Sequence, residues 1–200
     1  MYSAASDRNK EPIFAVLRPQ LAKASRLLEL ACGSLQHACY MAPALPELRW
    51  LPTDIDAAAI SHGTDLAHRP PSVAAPVRLD VHDTPWSVTD VDAIYAANLL
   101  HISPRTTVEA VFQGARRVLR RHGRIFLYGP FMEAGRHTSP GNEAFDASLK
   151  ARDARWGIRA LEDVVDAAGR AGFELLERNA MPANNLLLVF AFSDRSDTAA

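Results

Sequence analysis

A chain of 200 residues, 48% hydrophobic, with 22 Lys plus Arg against 23 Asp plus Glu, has the make-up of a single globular domain with a sizeable core. Its net charge of -1, with the two signs interspersed, argues against charge-driven nucleic-acid binding, and its longest apolar run, "LLLVFAF", is too short to span a bilayer. The N-terminus has no basic segment followed by an apolar run, and Cys32 and Cys39 lack zinc-like spacing, so a reduced, cytoplasmic protein with no metal and no membrane contact is expected.

In chain order, "NKEPIFAVLRPQLAKA" places Ile13, Val16 and Leu17 at helical spacing, with Asn9 as N-cap and Pro12 in the first turn. Residues 1–25 thus form a helical cover ahead of the first strand, "RLLELA". A single glycine, Gly33, then leads into the helix "QHACYMAPAL", which Pro43 strains. Strand "LRWLPTD", a weaker helix capped by Asp56, a Pro-rich loop, the short strand "VRLDV" and strand "VDAIYAANLL" follow. Val108, Val111, Phe112, Ala115, Val118 and Leu119 share one helical face, and Gly123 restarts the chain as "RIFLYG". The segment 130–157 reads as long and irregular, with a short helix at 141–151; a helix with Leu161, Val164, Val165 and Ala168 on one face comes next. The last strands, "FELLERNAM" and "NLLLVFAF", are separated only by "PAN", too short for a parallel crossover, so they pair as an antiparallel hairpin before a frayed tail at 193–200.

Five strand–helix alternations and a terminal hairpin imply a Rossmann-like α/β fold, doubly wound with helices on both faces of a seven-stranded sheet. Ligands in such sheets bind beyond the carboxyl ends of the strands. Those ends carry Glu29 to Leu35, Thr53 to Asp56, Asp80 to Asp83 and Asn98 to His101. Gly33 permits a tight turn with close backbone approach at a helix start. A carboxylate at Asp54 can accept hydrogen bonds from both ribose hydroxyls, while Asp56 already serves as helix cap. Asp80 is placed to accept from an adenine amino group, with Val81 supplying a backbone amide; its competing reading is a solvated loop acid.

The antiparallel last strand makes the arrangement resemble the class I methyltransferases that use S-adenosylmethionine (SAM). Taken together, "RNKEPI", "LELACGSLQHA", "AANLLHISP", "LYGPF", "GRHTSPGNEAFDASLKARDARWGIR" and "MPANNLLLVF" resemble the methyltransferase-like family known as domain of unknown function 938, over about residues 6–192. The resemblance implies a single SAM-dependent methyltransferase domain over 1–200, with the cofactor held by Glu29, Ala31, Gly33, Gln36 and His37 from the loop, then Asp54, Asp80, Val81, Asn98 and Leu99. One position departs from the family: where members read Gly-Thr-Gly-Gln-His, this chain has Gly-Ser-Leu-Gln-His. If Leu35 needs φ > 0 the cost is of order 1 kcal/mol or more; if not, Leu35 covers the cofactor harmlessly.

His101 is the best-placed general base, with Tyr128 beside it as a second catalytic candidate; a plain loop histidine is the alternative. The 130–157 segment reads as a substrate lid carrying Phe131, His137, Asn142 and Trp156, or as a packed cap with Phe145 and Leu149 facing the core. Of Asn184 and Asn185, one is expected in the turn and one in the pocket, and Asn9 and Lys10 fold over it from the N-terminus. The leading expectation is methyl transfer from SAM to a small molecule by a monomer or homodimer. A degraded methyltransferase fold kept as a binding or regulatory module is second, and a nucleotide-dependent oxidoreductase third.

Overall fold

The computed structural model describes residues 2–193; most of the expected tail lies outside the described residues. Seven strands make the main sheet: β1 (Arg26–Leu30), β2 (Arg49–Asp54), β3 (Val77–Arg78), β4 (Val91–Ala97), β5 (Leu119–Glu133), and after two short strands, β6 (Arg136–His137) and β7 (Arg159–Ala160), the closing pair β8 (Phe173–Met181) and β9 (Asn185–Phe192). Their order is β3-β2-β1-β4-β5-β9-β8, with β6 and β7 paired to the outer end of β5. The first five are parallel, while β9 runs antiparallel between β5 and β8. The three-residue connection made the hairpin obligatory, and β9 inserts between β5 and β8 because its residues, buried from Leu186 to Ala191, need cover on both faces.

Successive side chains of a strand point to opposite faces, and the core divides accordingly. Leu28, Leu30, Ile94, Ala96, Ile125 and Leu127 pack with α4 (Thr107–Val118) and α6 (Leu161–Arg170). Leu27, Trp50, Ala93, Tyr95, Phe126 and Tyr128 pack with α1 (Ala4–Gln20) and α2 (Gln36–Met41). The smaller α3 (Ala57–Thr64) packs along β2 and is capped by Asp56, whose side chain accepts from the Ala58 amide at 2.8 Å.

Two expectations are corrected. The first helix starts a turn and a half earlier than Asn9: Ser3 is its N-cap, Asn9 lies buried inside it, and Pro12 sits in its interior. An interior proline loses one helical hydrogen bond, but Asn9, Ile13 and Leu17 bury a continuous stripe, and tertiary packing outweighs the local penalty. The 130–157 segment is also more ordered than it reads, because β5 continues to Glu133 and α5 occupies Pro140–Arg152.

Candidate functional site

β1 and β4 are neighbours whose following connections run to opposite edges of the sheet, which places the strand-order switch between the loops 31–35 and 98–101. In the first loop, Ala31, Gly33 and Leu35 all have positive φ, 54°, 51° and 60°, although only one of the three is a glycine. Each non-glycine residue there costs about 1–2 kcal/mol, strain that persists only where surrounding contacts over-determine it. Leu35 shows what compensates: its side chain is 0% exposed and fits against Gly63 of α3, where an added Cβ would lie 2.8 Å from Leu35 Cδ1. The left-handed backbone that Leu35 was feared to need is therefore present, and the side chain turns into the core. Leu35→Gly is expected to lower stability by about 2 kcal/mol, because the lost burial exceeds the relieved strain. Urea denaturation checks this, and an unchanged midpoint would contradict the packing role.

The open face of the loop belongs to Gly33. A Cβ built there would meet nothing within 4 Å, so a ligand has room to approach the backbone. Beneath it, the Gly33 amide donates to Asp54 Oδ2 and the Asp56 amide to Asp54 Oδ1, both at 2.9 Å. Asp54 is thereby fixed at the end of β2 with acceptor lone pairs to spare, since each carboxylate oxygen accepts twice. Glu29 is deeper, 2% exposed, and accepts from Trp50 Nε1 at 2.6 Å. Burial pushes its carboxyl up to about 8, against the Trp50 bond and with help from Asp54. Asp80 accepts from the His82 amide at 2.9 Å, Val81 lends its carbonyl to Trp86 Nε1, and Leu99 packs on the α4–α6 core.

Gln36 and His37 hold α1. The Gln36 amide bonds the Ser3 backbone and Ser34 Oγ, while His37 Nε2 lies 2.7 Å from Asn9 Oδ1 and its Nδ1 3.2 Å from the Tyr95 hydroxyl. This network puts the proton on Nε2, which donates to Asn9, and leaves Nδ1 to accept from Tyr95. Burial, with Lys10 assisting, pushes His37 down to about 4, so the ring is neutral at pH 7.

A cavity of about 600 Å³ opens at the carboxyl ends of β4 and β5. Asn98 and His101 form one wall and Tyr128 and Pro130 another, while Asn142 and Phe145 of α5 and Asn185 face Arg8 and Asn9 of α1. Asn98, left-handed at φ 60°, donates its amide to the Tyr128 carbonyl at 2.8 Å. Burial raises the pKa of the Tyr128 hydroxyl, against the opposing influence of the nearby Asn9 and Asn185 side chains. His101 stands edge-on to Phe145 at 5.4 Å, and burial, with Arg159 adding, pushes it down to about 4. The result is a neutral imidazole and a neutral phenol lining the same cavity at pH 7.

Other expected residues lie elsewhere. Phe131 is in the α4–α6 core, since it alternates with the cavity residue Pro130 along β5. Lys10 pairs with Asp7 and sits over the Tyr40 ring, and His137 faces Asp146 at 3.4 Å. Trp156 lines a different cavity and stacks with Arg152. Asn184 takes the left-handed turn position at φ 54° and gives its carbonyl to Asn142, so Asn185 is the one in the cavity. Ser3, Ala5, Arg8, Pro182 and Ala183 also line the wall without having been singled out. With the helix start placed at Ser3, the spacing of Ala5, Arg8 and Asn9 marks that face. Among the described residues no helix is long and apolar enough to cross a membrane, and no cluster of three metal-ligating side chains occurs.

The strand order, five parallel strands with an antiparallel closing strand, is that of a class I SAM-dependent methyltransferase fold. The chain is similar in structure to the SAM-dependent methyltransferase SibL in its apo form, with TM-score 0.76 and 20% identity over 94% of this chain and 56% of that one. It is also similar to PigF with SAH, at TM-score 0.77 and 16% identity over 92% of this chain and 56% of that one. A TehB-like SAM-dependent methyltransferase from Corynebacterium glutamicum ATCC 13032 Kitasato matches at TM-score 0.64 and 19% identity, over 90% and 87%. The chain thus spans little more than half the length of the first two. Within that fold it belongs to the family described as "Protein of unknown function (DUF938)", whose model matches residues 1–192.

Proposed function

We propose that this chain transfers a methyl group from SAM to a small-molecule acceptor bound in the 600 Å³ cavity. The observation that carries the reading is the pairing of an open backbone face at Gly33 with a carboxylate at Asp54 held by two amides, at the carboxyl ends of β1 and β2, while Asn98 at the end of the neighbouring β4 lines that cavity. The residues fit the cofactor: Asp54 accepts from a ribose diol, Gly33 admits close approach, and Asn98, at the end of β4 next to β1, lines the acceptor cavity. Asp80 and Val81 serve the adenine end, with Ala31 and Leu99 contributing backbone and packing. When bound, SAM supplies a methyl group on a sulfonium, already activated for in-line displacement.

The protein's share of the work is alignment, exclusion of water and proton acceptance. His101, neutral because burial holds its pKa near 4, has a ring nitrogen able to accept the acceptor's proton. Tyr128, held protonated by burial, donates a hydrogen bond that positions the acceptor. Asn142 and Asn185 supply further polar contacts, and Phe145 supplies an apolar wall. The segment 130–157, chiefly α5, acts as the acceptor lid, and α1 is the second cover, fastened to the cofactor loop by Gln36 and His37. Glu29, Gln36 and His37 therefore support the cofactor site by positioning its neighbours. Calorimetry with SAM and S-adenosylhomocysteine is expected to give saturable binding to the intact protein; none at millimolar ligand would sink the proposal.

A further inference from the structure

We propose that a second cavity, of about 280 Å³ and walled by Arg105, Lys150, Trp156 and Arg159, binds the phosphate group of a small molecule. It shares no wall residue with the acceptor cavity, and no acidic side chain lines it.

Arg159 carries the argument. Its side chain forms part of this wall and the residue is 4% exposed, yet the guanidinium is met by no carboxylate within bonding distance among the described residues. Its Nη2 donates to the backbone carbonyls of Ser103 and Arg155, while its buried Nε has no acceptor. A guanidinium carries five N–H donors in a fixed fork, and burying such a charge without an anion is costly. Nearby Asp146 is committed elsewhere: Oδ1 accepts from the Ile158 amide at 2.7 Å, and Oδ2 accepts from Lys150 Nζ at 2.5 Å and faces His137. Burial and the neighbouring Arg105 push the guanidinium pKa down to about 10, which Asp146 only partly offsets.

The surrounding groups suit an oxyanion. Arg105 holds Asp163 loosely, at 3.6 Å with both side chains largely exposed, so it is free to swing inward. Pro104, Arg105 and Thr106 lead into the twelve-residue α4, and the positive end of its dipole adds to the field. Trp156 offers a half-buried ring against which a flat or apolar substituent can lie. Phosphate is favoured over a carboxylate because its higher charge and third oxygen can engage Arg159 and Arg105 together. The Gly157 amide donates to the His101 carbonyl at 3.0 Å and Arg159 to that of Ser103, so the site is joined through backbone to the turn bearing His101.

The test is calorimetry and thermal denaturation of the full chain with inorganic phosphate, at constant ionic strength. Saturable binding is expected, with Tm rising as phosphate is added. Arg159→Met should abolish both effects, Arg105→Ala should weaken affinity about tenfold, and Arg170→Ala, a surface control outside the cavity, should change neither. Arg105 is exposed, so its variant gives a decision even where Arg159→Met fails to fold. No saturable binding at tens of millimolar phosphate, or equal weakening by Arg105→Ala and Arg170→Ala, overturns the proposal.

Discussion

At pH 8 the Glu29→Gln protein is expected to be more stable than the parent by about 3 kcal/mol, and at pH 5 the two should be nearly alike. Glu29 is 2% exposed, and burial raises its carboxyl from the ordinary 4.5 to about 8. Between those values the folded chain holds a proton that the unfolded chain has released, so stability falls as pH rises through the interval, by about 1.4 kcal/mol per unit at most. Glutamine keeps a carbonyl to accept from Trp50 Nε1 and has no charge to bury. His37 and His101 act in the opposite sense: their folded values near 4 lie below the ordinary 6.5, so stability rises with pH across that range and then levels. The parent should therefore be most stable near pH 6.5, with an alkaline fall that Glu29→Gln removes. Urea denaturation from pH 5 to 8 measures it; a parent curve flat above pH 6.5 would show that Glu29 ionises freely in the fold.

Asp54→Ala should weaken SAM binding at least about tenfold, equivalent to about 1.4 kcal/mol, and should also cost the protein about 1–3 kcal/mol of stability. The first effect follows from its proposed ribose contact. The second follows from the two amides, Gly33 and Asp56, that lose their acceptor at a position only 7% exposed. Asp54→Asn separates them, since its single amide oxygen still serves one backbone donor while the anionic bidentate acceptor is gone. Stability should recover in large part and SAM affinity should not. Calorimetry and denaturation of the same samples provide both readings, and a folded Asp54→Ala protein with parental affinity would remove Asp54 from the cofactor site.

Residues in the acceptor cavity were only partly legible in the sequence. Asn98, His101 and Tyr128 were readable because strand ends in a doubly wound sheet face the ligand, and the ends of β4 and β5 could be placed by pattern. Asn9 was named for the pocket but taken as a cap, because Pro12 argues locally for a helix start. The structure instead uses Asn9 to bond His37 and to line the cavity beside α5 and Asn185. The sequence reads Phe131 as a lid residue facing substrate and Phe145, in the alternative, as facing the core; the structure has them the other way round. Pairing of β5 with β7 turns Phe131 inward, and packing of α5 over His101 brings Phe145 to the cavity.

The sequence by itself determined the alternation of strands and helices, the antiparallel hairpin forced by a three-residue connection, the Asp56 cap and the carboxylate at the end of β2. These depend on neighbours within a few residues, where periodicity and turn chemistry are decisive. Only the tertiary structure decided that Leu35 is left-handed and packed into the notch at Gly63, that Glu29 is buried against Trp50, and that Arg159 lies in the core without a carboxylate. Each depends on a partner more than twenty residues away, and burial and pairing at that range leave no local pattern to read.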